Sequence, residues 1–209
     1  MQLYLKALIT ISAFLPWASA SVSCDGLSSL SLTDARITSA ESLSAGDFTP
    51  PSAGQPIRNL PALCRVIVTL TPSKDSEIKV EVWMPTTGWN QKLQAVGNGG
   101  WSGAINYGGL ASAVRGGYAS ASTDTGHSGG SAEFAFGHPE KLIDFGYRSE
   151  HEMTVKAKAI ISAFYGNAPK LSNGCSSGGK QGLKEAQKYP DDYDGIIAGA
   201  PANNWVALS

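Results

Sequence analysis

Two stretches of the chain alternate apolar and polar residues with a period of two, Cys64-Arg65-Val66-Ile67-Val68-Thr69-Leu70 and Ile78-Lys79-Val80-Glu81-Val82-Trp83-Met84. Residues 71–76 between them supply a proline and polar turn formers, so the pattern predicts a β-hairpin with one polar face. Leu93-Gln94-Ala95-Val96 predicts a third strand, which opens into a glycine-dense loop over 97–103. Residues 110–115 suit a short helix stopped by Gly116-Gly117, and 118–122 suit the next strand. Farther on, Met153, Ala157, Ile160, Ile161 and Phe164 share one helical face behind Ser149-Glu150-His151-Glu152, which has capping-box spacing. Residues 170–173 read as a strand-like entry to a further helix, on which Gly179, Gly182, Leu183 and Ala186 share a face and which ends before Pro190. Residues 195–200 read as a buried strand. A hairpin followed by β-α-β-α-β predicts an α/β sheet with an antiparallel edge.

Residues 21–63 break this regularity. Ser, Pro and Gly with short apolar pairs predict an irregular arm, with turns at Pro50-Pro51 and Gly54. Before the arm, Lys6, an apolar stretch over 7–17 and Ala18-Ser19-Ala20 read as a secretory signal cleaved near Ser21. The apolar stretch falls short of the ~20 residues of a spanning helix and is interrupted by Pro16, so a secreted protein without a membrane anchor is expected. A hydrophobic content of 42%, a charged content of 16% and 24 glycines describe a globular, turn-rich chain. The net charge is −1, and −2 without Lys6, which provides no basic footprint for nucleic acid. Three cysteines cannot all pair within one chain. Cys24 and Cys64 are expected to join and staple the arm to the first hairpin strand, leaving Cys175 over.

Cys175 adjoins the residue with the strongest chemical signal. Gly174-Cys175-Ser176-Ser177-Gly178 satisfies G-x-S-x-G, in which a strand turns sharply into a helix and exposes a nucleophilic serine above an α/β-hydrolase sheet. The pattern alone is common in a Gly/Ser-rich chain, but strand-like entry, small-residue helix and a strand beyond it form the context it requires. Ser176 is therefore the candidate nucleophile, with Cys175 as the alternative that the elbow geometry disfavours. Ser177 N–H is the first candidate oxyanion donor, and the loop over 97–103 offers the second at Gly99 or Gly100. The triad order on this fold is serine, acid, histidine, yet His127, His138 and His151 all precede Ser176. His138 beside Pro139 and His151 inside a helix read as structural, and Asp191, Asp192 and Asp194 as loop carboxylates. His127, in a loop expected at the C-terminal edge of the sheet, and Trp101 are the candidates to lie near substrate. Trp83, Trp89 and Trp205 read as core. The sequence holds no N-x-[ST] sequon, no HExxH and no Cys/His cluster with zinc spacing, so no metal ligands are assigned.

Gly174-Cys175-Ser176-Ser177-Gly178-Gly179-Lys180-Gln181-Gly182 resembles the nucleophile motif of the tannase and feruloyl esterase family. Ala95-Val96-Gly97-Asn98-Gly99-Gly100-Trp101 resembles the family's oxyanion loop, Thr123-Asp124-Thr125-Gly126-His127 its next loop, and 195–202 the strand after the nucleophile helix. Together these cover most of 64–202, with Lys180 where the family usually has arginine and Ser177 where it often has threonine. The resemblance implies an α/β-hydrolase-type sheet, of which 64–209 is the N-terminal part. It implies a small aromatic ester substrate of the feruloyl or galloyl type, carried on plant cell-wall polysaccharide or tannin. It further implies that Cys175 bonds a cysteine beside the catalytic histidine, and that this pair, the triad acid and a calcium-binding lid lie beyond Ser209. No cofactor is then expected within this chain. Two functions follow as expectations: an esterase acylated on Ser176 that takes its histidine from outside the chain, or a catalytically silent fragment with a structural or binding role.

Overall fold

The computed structural model describes residues 21–50, 54–172, 174–175, 177–202 and 204. The predicted signal segment, Ser176 and Trp205 lie outside the described residues. In chain order the strands are β1 (Ala35–Leu43), β2 (Gly46–Phe48), β3 (Ile57–Leu60), β4 (Leu63–Leu70), β5 (Ile78–Pro85), β6 (Lys92–Val96), β7 (Ala119–Thr123), β8 (Lys170–Ser172), β9 (Gly174–Cys175) and β10 (Ala198–Gly199). The α-helices are α1 (Tyr107–Arg115), α2 (Pro139–Ile143), α3 (Ser149–Tyr165) and α4 (Ser177–Lys188). Six strands form the main sheet in the order β1-β4-β5-β7-β6-β8. β1, β4, β5 and β7 pair antiparallel in succession, whereas β7, β6 and β8 run parallel. β9 continues the path of β8 and pairs with β10 in parallel.

Alternation in the hairpin assigns its two faces. Val66, Val68, Val80, Val82 and Met84 point to the side covered by Met153, Ala157, Ile160 and Ile161 of α3. Each of the large side chains among them contributes roughly 1.5–3 kcal/mol by leaving water. Trp83 points the other way, against Leu110, Ala111 and Val114 of α1. The face predicted to be polar is therefore covered, and its charges are buried with it. Arg65 and Glu81 are each 4% exposed and form a two-pronged pair at 2.7 and 2.6 Å. Trp83 Nε1 and the Tyr107 hydroxyl donate to the same carboxylate, and Glu41 takes the remaining arm of the guanidinium. Burial acts against the Arg65 charge, but Glu81 and Glu41 more than offset it and hold its pKa above the ordinary value. A buried pair is tolerated when its other lone pairs and protons are satisfied in this way.

The arm over 21–63 is not irregular throughout. β1 pairs along the whole of β4, from Ala35 opposite Leu70 to Leu43 opposite Leu63, with one irregularity between Ile37 and Ser39. Its period-two pattern is obscured because only one of its nine residues, Ile37, is fully buried. The Cys24–Cys64 disulfide is present and fastens the 3₁₀ turn Asp25–Ser29 to β4.

Three further expectations are corrected. Ser149 does not cap α3, because a π-helical turn, Asp144–Arg148, feeds straight into the helix and the Ser149 hydroxyl donates back to the Asp144 carbonyl. On α4 it is Gly178, Gly179, Gln181 and Glu185 that are buried, while Leu183 and Ala186 are exposed. The predicted strand over 195–200 shrinks to Ala198–Gly199, with Ile197 62% exposed, because β9 is its one partner among the described residues. Among the described residues no helix is long and apolar enough to cross a membrane.

Candidate active site

β6 has β7 on one side and β8 on the other, and the chain leaves β6 and β7 toward opposite faces, through α1 and α3 respectively. Such a switch point opens a crevice at the C-terminal ends of the parallel strands. The loop after β6 and the start of α4 meet there, backbone against backbone. A Cβ on Gly97 would lie 2.3 Å from the Gly178 Cα, and Gly178 N–H donates to the Asn98 carbonyl at 3.0 Å. The same closeness recurs on α4's other flank, where a Cβ on Gly179 would lie 2.4 Å from the Gly199 carbonyl oxygen of β10. Small residues are required on both sides because α4 is wedged between the loop and β10.

Polar side chains turn the glycine-dense loop into a fixed structure. The Asn98 amide group donates to the Ala104 and Thr123 carbonyls at 2.8 and 2.9 Å. Gln181 of α4 answers with a reciprocal pair: its Oε1 accepts from Asn98 N–H, and its Nε2 donates to Asn98 Oδ1. Asn106 caps α1 through Gly109 N–H and also donates to the Gly97 carbonyl. Sequence reasoning passed over Asn98, Asn106 and Gln181. Their one local signal is an amide side chain set among glycines, or in the helix turn just after the motif.

α4 begins at Ser177, so its first backbone N–H groups lack partners within the helix. Gly178 N–H is committed to Asn98. Gly99 N–H has no acceptor among the described residues, although the Gly99 carbonyl closes a turn with Ser102 N–H. Gly100 takes φ +52°, a left-handed conformation that glycine adopts without strain. Ser176, between β9 and α4 in sequence, lies outside the described residues, as does its distance to either glycine. Cys175 ends β9 opposite Gly199.

Trp101 and His127, named separately from sequence, come together. His127 Nε2 donates to the Trp101 carbonyl at 2.9 Å, and Nδ1 lies 3.1 Å from the Thr125 hydroxyl. Its ring stacks on Phe134 and meets Phe145 edge-on, while Trp101 stacks on Phe145 at 4.9 Å. With both nitrogens engaged and 7% exposure, His127 holds the loop's shape and lines an open cleft of about 660 Å³ beside Phe134 and Phe136. Thr125 accepts φ +59°, rare for a β-branched residue, and Asp124 Oδ1 anchors that turn by accepting from Gly126 and Lys79 N–H. Burial raises the Asp124 carboxyl to about 6 against the pull of these two donors. Lys180 sets its ammonium 3.9 Å over the Phe145 ring. Burial lowers it to about 8, opposed by Glu150, whose own carboxyl burial raises to about 7. The other two histidines stand elsewhere: His138 pairs with Asp75 on the surface, and His151 with Asp192 behind α4. Trp83 is core, as expected, and Trp89 stacks on Tyr165.

The family model of tannase and feruloyl esterase matches residues 64–209. The chain belongs to the tannase and feruloyl esterase family. It is 45% identical over 210 residues to an uncharacterized esterase of Xanthomonas campestris, covering 99% of this chain and 36% of that protein. A probable feruloyl esterase B-2 of Neosartorya fischeri is 43% identical over 148 residues, 70% of this chain and 28% of its own length. The chain thus spans about a third of the relatives it matches. Among solved structures, feruloyl esterase B from Aspergillus oryzae superposes with a TM-score of 0.83 at 34% identity, over 88% of this chain and 38% of that one. Tannin acyl hydrolase from Aspergillus niger gives a TM-score of 0.67 at 25% identity, over 85% and 35%. The tannase and feruloyl esterase fold is of the α/β-hydrolase type, and the contact between the loop after β6 and α4 lies at the crevice of that sheet.

Proposed function

We propose that this chain is the nucleophile-bearing part of a secreted serine carboxylic ester hydrolase for aromatic esters of the feruloyl or galloyl type. One observation carries the reading most: the start of α4 is packed onto the loop after β6 at the Gly97–Gly178 contact. That contact supports an oxyanion hole made from Ser177 N–H and a loop N–H. Gly99 is the donor of choice, its N–H being uncommitted, and Gly100 stands next to it. Removing one such donor typically costs ~2.7–4 kcal/mol of transition-state stabilisation. Ser176, placed by sequence between β9 and the N-terminus of α4, attacks the ester carbonyl and is acylated. The alcohol leaves and water releases the aromatic acid. His127 serves by holding Trp101 and the cleft wall beside the substrate. The proton-transferring histidine and its acid partner come from outside this chain, and Cys175 bonds the cysteine next to that histidine.

The test compares the 209-residue chain, its full-length form and both Ser176→Ala variants on methyl ferulate and methyl gallate. The full-length protein is expected to turn over and to lose at least about 10³-fold in kcat on Ser176→Ala. The short chain is expected to be inactive, because serine without a base is a weak nucleophile. Serine-dependent turnover by the short chain alone would instead make His127 the first residue to mutate.

A further inference from the structure

Behind α4, away from the β6 loop, a second group of polar side chains is enclosed by α3, α4 and the turn before β10. His151 stands in the first turn of α3, Glu185 in the third turn of α4, and Asp192 in the turn that follows α4. His151 Nδ1 and Asp192 Oδ2 lie 2.6 Å apart, and one ligand atom from each of the three residues falls within 4.8 Å of the others. Glu185 is 2% exposed, and neither of its carboxylate oxygens meets an N–H or O–H donor among the described residues, its near polar neighbour being the Asp192 carboxylate. Leaving a buried carboxylate without donors is costly, and native structures resolve such a group with a proton or a cation. Glu150, one residue before His151, is also buried with one oxygen unpartnered, and Lys180 and Lys158 are the cations that act on Glu150 and Glu185.

Donors bound to one tetrahedral ion at ~2.0–2.2 Å lie about 3.3–3.6 Å apart, so the farthest of the three ligand atoms, now within 4.8 Å of one another, close by up to about 1.5 Å while the His151–Asp192 pair opens from 2.6 Å. The His151 ring is already oriented by stacking on Tyr189 at 3.7 Å. One imidazole with two carboxylates is a mixed nitrogen and oxygen set, which suits zinc-like ions better than calcium or magnesium. His151 and Asp192 are 41 positions apart, which is why no spacing motif announces the cluster.

We propose that His151, Glu185 and Asp192 bind a divalent first-row metal ion of the zinc type, which ties α3 to α4 and to the turn before β10. The site is structural and distinct from the oxyanion loop, since Glu185 lies about 12 Å along α4 from Ser177. Binding requires that the imidazole nitrogen meeting the ion carry no proton and that both carboxylates be ionised.

The test strips the intact protein with a chelator and titrates it with zinc chloride by calorimetry, with calcium chloride in parallel. Wild type, His151→Gln and Glu185→Gln are compared, and thermal unfolding is recorded with and without zinc. Wild type is expected to take up one zinc ion per chain and to unfold at higher temperature with it. Each variant is expected to lose at least about tenfold in zinc affinity, together with the thermal shift. Calcium is expected to act alike on wild type and on both variants. Absence of stoichiometric zinc uptake overturns the site, as does uptake unchanged in the variants. An apo Glu185→Gln as stable as wild type, in a protein that takes no zinc, identifies Glu185 as a protonated carboxyl instead. Should Glu185→Gln not fold, His151→Gln decides, because that side chain is 25% exposed and its loss leaves little cavity.

Discussion

At Gly97 a single hydrogen in place of a methyl group lets the β6 loop rest on α4. A Cβ there meets the Gly178 backbone at 2.3 Å and Gln181 Oε1 at 2.6 Å, and only the latter can move aside. Gly97→Ala is expected to cost about 1–3 kcal/mol in chemical denaturation and, on the proposed function, to reduce ester hydrolysis by the full-length protein by a larger factor, through displacement of the proposed oxyanion donors. Gly99→Ala, which meets nothing within 4 Å, is expected to unfold like the wild type. Asp124 gives a pH-dependent prediction on the next loop. Its carboxyl holds a proton to about pH 6 in the folded chain, against an ordinary value of 3.8. Between those values the folded state binds more protons than the unfolded one, so this contribution to stability is complete below about pH 4 and is lost as pH rises to about 6. The loss is at most about 3 kcal/mol. Asp124→Asn keeps an oxygen for Gly126 and Lys79 N–H and is expected to flatten the pH profile of unfolding over that window, whereas an unchanged profile would assign the titration elsewhere.

Among the elements, the first hairpin and β1 show how a strand's surroundings are fixed. β4 has a partner on each edge, and Cys64 on its buried face holds the 3₁₀ turn at Cys24 through a disulfide spanning 40 residues. Closing a loop of that length removes about 4 kcal/mol of chain entropy from the unfolded state. The Cys24→Ser, Cys64→Ser double variant is expected to lose stability of that order in thermal or denaturant unfolding while keeping its secondary structure. A loss below about 1 kcal/mol would mean that β1 holds the arm by itself. α4 illustrates the opposite case, an element whose inner face is made of glycines and polar groups. Its attachment depends on close backbone approach to Gly97 and Gly199 and on the Gln181–Asn98 pair, with little apolar burial to assist.

Over the whole molecule, two layers of helix on a mixed sheet place the β6 loop, the Asp124–His127 turn and α4 at one end of the parallel strands. Much of that arrangement could be read from the sequence alone. The hairpin, β6, β7, α1 and α3 declare themselves by periodicity, since the alternation of a strand and the 3.6-residue turn of a helix are local properties. The glycines around Ser176 make it the candidate nucleophile, and the Cys24–Cys64 pairing follows from setting Cys175, the odd cysteine, at the C-terminal edge of the sheet. Tertiary structure alone decided which groups were buried. Arg65 and Glu81 read as a solvent face until α1 and Tyr107 cover them, and β1 reads as loop until β4 pairs with it. Leu183 reads as core, yet α4 turns its glycines inward. Asn98 with Gln181 lies 83 positions apart in sequence, and His151 with Asp192 41. Periodicity reports which residues share a face of one element. What that face meets, and so whether a charge there is solvated, paired or bound to an ion, depends on segments that only folding brings together.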